Sequence, residues 1–508
     1  MTLPASNAPE DVDASPKLPS LTKLASWLFI AKIVSFGLSL ALPLLLVRRL
    51  SQEEFGLYKQ AFLVVGTAIA ILPLGFQMSA YYFLPREPLH RGQVMFNILL
   101  VHGFATSLGL LALLLFPSVL KLIFNSSDLM PYAPQIGVVI LLWGVAYFLE
   151  TAVVANQEAQ LAAALIIAAQ FSRTALMVTA AAVFASVQAL IYAAMVQGVV
   201  QTGILLAYLN WRFPAFWRNF EWSLLRRQLS YALPFGLTGL LYTLEVDYHN
   251  YFVSNHFGPA NFAIYSIGCL DIPLITLLGE SVSSVVISRV SALERDQNHR
   301  EIVFLMAKVM RKLALAYLPI YAFLMVTGRE FITAIFTVRY AESWPLFAAN
   351  LTMVPFAIFL TDPVVRAYAQ QRHYILKLHA VLFVLLAAAL PFATRSMGML
   401  GAVFVIVGIN ILGKIVTALR LGRIVGVERD DFKLLRGVGM VALAAAIAAL
   451  VTLLLKMSLP PWKPLYVLAV CGICYGLSYL ASALLLKIPE AEERTMLSHF
   501  LGRLGIQT

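Results

Sequence analysis

The chain has 508 residues, of which 60% are hydrophobic and only 12% charged, with a mean hydropathy of +0.82 and a formal net charge of +11. A soluble globular chain carries about twice that charged fraction, so there is no room here for a water-soluble catalytic or nucleic-acid-binding domain. The excess positive charge then reads as basic loops facing anionic lipid.

The apolar runs continue over about twenty residues, the length a helix needs to cross a bilayer, whereas a barrel strand alternates over about ten. These features predict an all-α polytopic membrane protein with about fourteen transmembrane helices. A polar tail, residues 1–22, precedes the first run, Leu24–Val47, which is too long for a signal h-region and lacks a small-residue cleavage site. Five more runs complete a first lobe over residues 23–209: Leu57–Leu84, Val94–Leu115, Gln135–Ala155, Leu161–Phe184 and Val187–Leu209. Residues 210–229 mix Trp, Phe and Arg and read as an interfacial amphipathic linker. A second six-helix lobe over residues 230–421 follows, with runs Ser230–Phe252, Phe262–Ser288, Leu313–Thr327, Leu346–Tyr368, Ile375–Ala393 and Leu400–Leu421. A basic linker, 422–436, leads to two additional helices within 437–486, Gly437–Leu455 and Leu465–Leu486, and then to a tail, 487–508.

Charge sets the expected orientation. With the N-terminus inside, the inner segments hold 25 Lys and Arg and the outer loops 9 of the 37 in the chain, which places both termini in the cytoplasm and the protein in the inner membrane. Trp27, Trp211, Trp217, Trp222, Trp344 and Trp462 fall at span edges, as an interfacial belt would; Trp143 alone is central. The three cysteines lie in apolar runs, and the Cys471–Cys474 pair reads as packing rather than as a disulfide or metal framework.

An internal repeat is visible at an offset of 207 residues. Phe55-Gly56-Leu57-Tyr58 opens the second span of the first lobe, and Phe262-Ala263-Ile264-Tyr265 opens the second span of the other. Together with Arg48–Tyr58 (RRLSQEEFGLY), Tyr81–Glu87 (YYFLPRE), Leu225–Gly236 (LRRQLSYALPFG) and Tyr265–Leu293, this pattern resembles the polysaccharide-transporter branch of the multidrug, oligosaccharidyl-lipid and polysaccharide exporter superfamily, the O-antigen flippase type, over about the first 420 residues. The resemblance implies two six-helix lobes around a central cavity that carry a lipid-linked, polyprenyl-pyrophosphate oligosaccharide from the inner to the outer leaflet by alternating access. It also implies a cationic cavity for that anionic cargo, membrane lipids as partners, and the polysaccharide polymerase and chain-length machinery as neighbours.

Charges inside spans are costly and each needs a reason. Lys32 in the first span and Arg173 in the fifth are candidate substrate-binding cations, with Arg48 and Arg49 at the mouth of the first span; snorkelling or pairing with a carboxylate is the competing explanation. Lys59, Arg366 and Lys414 read as interfacial anchors. Glu245, Asp247 and His249 in the seventh span and Asp271 in the eighth are candidates for H⁺ or Na⁺ coupling. Glu245 and Asp271 are expected to meet near the midplane across the short loop that joins their spans. Glu150, Glu280 and Asp362 are further acids, Asp362-Pro363 also reading as a helix break. The sequence contains no Walker-type phosphate loop, no metal-spaced His/Cys cluster and no nucleophile elbow, so a carrier without a cofactor is expected rather than an enzyme. Two alternatives stand beside the flippase: a multidrug-type cation antiporter of the same superfamily, and a membrane-embedded glycosyltransferase or polymerase. Against the latter, the longest outer loop, Phe116–Pro134, is short.

Overall fold

The computed structural model describes residues 21–218, 220–368 and 372–488, and these are helical throughout, with no strand among them. The two tails and Asn219 of the linker lie almost wholly outside the described residues, as do the side chains of Asp362 and Arg366. Among the described residues, eleven helices are long and apolar enough, by length and composition, to cross a membrane.

The first group of helices runs α1 (Leu21–Arg49), α2 (Gln52–Ile71), α3 (Ser79–Arg86), α4 (Arg91–Leu115), α5 (Ser118–Phe124), α6 (Ala133–Ala146), α7 (Leu149–Ala155), α8 (Ala159–Val183) and α9 (Val187–Arg212). The second runs α10 (Trp222–Gly268), α11 (Pro273–Arg295), α12 (His299–Phe336), α13 (Ser343–Leu351), α14 (Asp362–Ala367), α15 (Arg372–Val425), α16 (Arg436–Ser458) and α17 (Pro464–Leu485). In the first, α1 packs along α8, and α6 against α4 and α9; in the second, α12 is the hub, touching α11, α13, α16 and α17.

Several expected spans are interrupted, and the residues explain most of the breaks. The second run ends as a helix at Ile71 because Pro73 cannot continue the ladder and Leu74 and Gly75 turn left-handed, with φ of 47° and 62°. The eighth unwinds over Cys269–Ile272 ahead of Pro273. The tenth is split into α13, a short 3₁₀ turn from Pro355 to Ile358, and α14, which begins at Asp362-Pro363. Conversely, α10 and α15 are each continuous except for one glycine with non-helical torsions, Gly258 and Gly398. The fifth and sixth runs are divided by a three-residue turn in which Ser186 accepts a hydrogen bond from the Ala189 amide and so caps α9.

The ninth helix is much longer than its apolar centre. Helix α12 starts at His299, capped by Asn298, and carries Arg300, Lys308, Arg311 and Lys312 inside the helix, where long basic side chains are well tolerated. Arg311 is buried and donates to the Ile488 carbonyl, and Lys456 of α16 donates to Glu330 and to the Val326 carbonyl of α12, both at 2.7 Å. Those contacts dock the last two helices.

Of the linker residues 210–229, 210–212 end α9 and 222–229 open α10; between them the described residues turn rather than form a helix. Pro214 and the left-handed Ala215 prevent one, and Phe213 and Phe216 are buried against Gly92 of α4. Trp217 and Trp222 stay exposed. Trp344 packs so closely on Gly328 that a Cβ there would sit 2.1 Å from its ring.

The two groups are joined mainly along α2 and α10. At one end the repeat motif meets the other copy's entry turn: a Cβ on Gly56 would stand 1.9 Å from the Pro259 carbonyl oxygen. At the other end a Cβ on Gly236 would stand 2.0 Å from the Leu74 carbonyl oxygen. Between them the seam is laced by Gln60 donating to Ser254 at 2.7 Å and Thr67 donating to Asp247 at 2.6 Å. Beyond Gly236 it continues through the Arg227–Glu87 pair at 2.9 Å and Asn97 donating to Gln228 at 2.7 Å.

Candidate functional site

The candidate cations of the first group have distinct settings. Arg173, on α8, lies with its guanidinium carbon 3.9 Å from the centre of the Trp143 ring on α6. That indole is fixed by its N–H, which donates to the Ala194 carbonyl at 3.0 Å, and by Phe62 at 5.7 Å, itself 4.7 Å from Tyr58. No carboxylate pairs with Arg173 among the described residues; its guanidinium rests on the π face and lies within electrostatic reach of Tyr58. This explains the central tryptophan: it is a platform for a cation.

Lys32, on α1, stands 3.8 Å from Glu150 on α7, both side chains about half exposed. The pair is loose, and the Glu150 neighbourhood also holds Tyr81, Tyr147 and Thr151. Lys59 lies in the third turn of α2, its amine 5.5 Å above the Phe55 ring.

Arg48 and Arg49 end α1 and are exposed. Arg48 donates to Ala334 near the end of α12 at 3.3 Å, while Arg339, just beyond α12, donates to Val47 at 3.0 Å and Leu50 at 3.4 Å. Gln52 adds a bond to the Arg339 carbonyl at 2.7 Å. Each arginine therefore satisfies carbonyls that the other group's helix leaves open at its C-terminus, where the helix dipole favours a cation. The result is a reciprocal clasp between the groups.

The acids of the second group point in different directions. Glu245 is buried, and its carboxylate lies 2.6 Å from Nδ1 of His379 on α15. His249, also buried, lies 2.7 Å from the Tyr265 hydroxyl. Asp247 reaches across to Thr67 of the first group. Asp271 sits in the unwound stretch before α11, exposed, and no contact joins it to Glu245. The partner found for Glu245 is His379 of α15 rather than the expected Asp271, which lies in the unwound stretch Cys269–Ile272.

Sequence reasoning missed His379 and Thr67 as partners; a lone histidine inside the eleventh apolar run was the available signal. No group of three or more His, Cys, Asp or Glu among the described residues is arranged to hold a metal ion. An apolar pocket of about 450 Å³ lies elsewhere, between α12 and α15, and none of the candidate residues lines it.

Two groups of membrane-length helices, joined by a close antiparallel seam and broken at matching second helices, define the fold of a polytopic membrane protein. Its overall course matches that of the lipid II flippase MurJ in an inward closed conformation, with a TM-score of 0.66 at 14% identity over 95% of this chain and 99% of that one. An inward-facing multidrug resistance MATE family transporter of the MOP superfamily matches with a TM-score of 0.62 at 16% identity, over 77% of this chain and 94% of that one. An outward-facing transporter of the same kind gives 0.55 at 15% identity, over 80% and 96%. These likenesses establish the fold. The profile of the polysaccharide biosynthesis protein family matches residues 22–345, and the chain belongs to that family. No curated protein matches the sequence.

Proposed function

We propose that this chain is a flippase for a lipid-linked oligosaccharide of surface polysaccharide synthesis, moving its polyprenyl-pyrophosphate cargo from the inner to the outer leaflet by alternating access. The observation that carries the reading is Arg173: a cation inside a span, held on Trp143 with no counter-charge among the described residues, is free to engage an anionic cargo. Lys32, loosely paired with Glu150, and the family match agree with it. In this reading α10 up to Gly258 is one crossing, its remainder together with α11 a second, α15 two around Gly398 and each other broken run one, which makes the fourteen crossings expected, with both termini cytoplasmic in the inner membrane.

On this topology the Arg48–Arg339 clasp would close the outer side, in keeping with the inward closed MurJ and inward-facing MATE structures that the fold resembles. Asp247 is the acid best placed for coupling, because taking up H⁺ or Na⁺ there would alter a bond that joins the two groups. Depletion of the protein is expected to leave the lipid-linked oligosaccharide on the inner leaflet, shielded from an added periplasmic probe; full exposure to that probe after depletion would refute the reading. For topology, a cysteine placed at Asn298 or Asp430 should resist a membrane-impermeant reagent and one at Asp128 should react.

A cation antiporter is the second reading, favoured by the buried Glu245 and the exposed Asp271. It requires gradient-driven efflux of organic cations that is lost in Glu245→Gln.

A further inference from the structure

The apolar pocket of about 450 Å³ is walled by separate segments of the second group: Met306 and Met310 on α12, Phe359 ahead of α14, Leu419 and Arg423 near the end of α15, and Phe432 in the 3₁₀ turn that follows. Its lining is almost entirely hydrocarbon, and Phe432 is 66% exposed at its edge. It lies where α12 begins and α15 ends, so with those helices set across a bilayer its mouth falls on the headgroup side.

Two charged residues line the pocket, Arg423 and Asp431, and only the carboxylate is paired. Every acid of the adjoining turn is engaged within it or beside it. Asp431 is buried and paired with Arg300 at 2.7 Å, Glu428 and Asp431 form a reciprocal capping box, and Asp430 pairs with Lys433 at 2.8 Å. Arg423 lines the pocket, is exposed, and makes no hydrogen bond or ion pair with any described residue. Arg429 and Arg436 lie exposed on the same turn. An apolar recess beside an uncompensated guanidinium is complementary to one kind of molecule that is always present there. We propose that the pocket is a site for an anionic membrane phospholipid, with an acyl chain between α12 and α15 and the headgroup phosphate on Arg423.

The site uses none of the residues assigned to cargo. The test is thermal unfolding of the purified, delipidated full chain in detergent, titrated with phosphatidylglycerol, with phosphatidylcholine, or with soluble glycerol phosphate. Phosphatidylglycerol should raise the Tm, phosphatidylcholine much less, and glycerol phosphate not at all. Arg423→Gln, at an exposed position, should weaken the apparent phosphatidylglycerol affinity about fivefold. The Ala307→Leu/Ala418→Leu double variant, which narrows the recess, should also weaken it. Equal effects of the two phospholipids in the parent, an undiminished phosphatidylglycerol effect in Arg423→Gln, or the full effect from glycerol phosphate would overturn the proposal.

Discussion

Arg173 and Glu245 are both charged residues within membrane-length helices, one in each group, and the molecule treats them in opposite ways. Arg173 rests on an indole ring and has no counter-ion among the described residues, whereas Glu245 is buried against His379 at 2.6 Å. A charge left without a partner in an apolar setting is held ready for something that arrives; one neutralised internally belongs to the machinery. On the proposed function, Arg173 in the first group is the charge offered to a ligand and Glu245 in the second is held within the protein, with Asp247 accepting one hydrogen bond across the seam.

The comparison depends on the two groups moving about a close seam, and the seam offers the largest expected effect. Gly236→Ala would place a Cβ 2.0 Å from the Leu74 carbonyl oxygen, so backbone must shift; a loss of about 1–3 kcal/mol and of export is expected. Gly239→Ala, one turn on with nothing within 4 Å of its Cβ, should leave both intact, and equal Tm values for the two variants would remove the seam from the account.

Next in size is the pairing in the second group. Glu245→Gln leaves His379 without its carboxylate and should lower stability by about 1–3 kcal/mol, read as a Tm shift. In combination with His379→Gln the losses should be less than additive, since the second change removes a partner already lost. Additive losses would mean that the pair does not act as one unit.

Lys32→Ala should be the mildest for folding. Its pair with Glu150 is about half exposed at 3.8 Å, so a change of no more than about 1 kcal/mol is expected, with export falling while the Tm holds. A large drop in Tm would make Lys32 a structural residue.

Much of this was legible before any coordinates. Continuous apolar runs located most of the helices, because lipid demands unbroken hydrocarbon surface and the chain can supply it only with particular residues. The same uniformity hid the interruptions: Pro73, Gly75 and Pro273 sit in runs whose hydropathy never falters, so hydropathy alone reads through them. The short α5 within the Phe116–Pro134 loop was invisible for the converse reason, its seven residues being too few for a span. Candidate charges could be named from their rarity, but their partners could not. Trp143 under Arg173, His379 beside Glu245 and Thr67 beside Asp247 each come from a helix distant in sequence, and no local pattern encodes which faces meet.

Direct binding of a polyprenyl-pyrophosphate oligosaccharide to the purified protein tests the contrast between the two charges most closely. Arg173→Ala should weaken that binding at least about tenfold, the loss of one charge-assisted contact, with Arg173→Lys intermediate because it keeps the charge but not the planar fork. Glu245→Gln should bind as the parent does. Undiminished binding by Arg173→Ala together with loss in Glu245→Gln would contradict the account, placing the ligand with the acids of the second group.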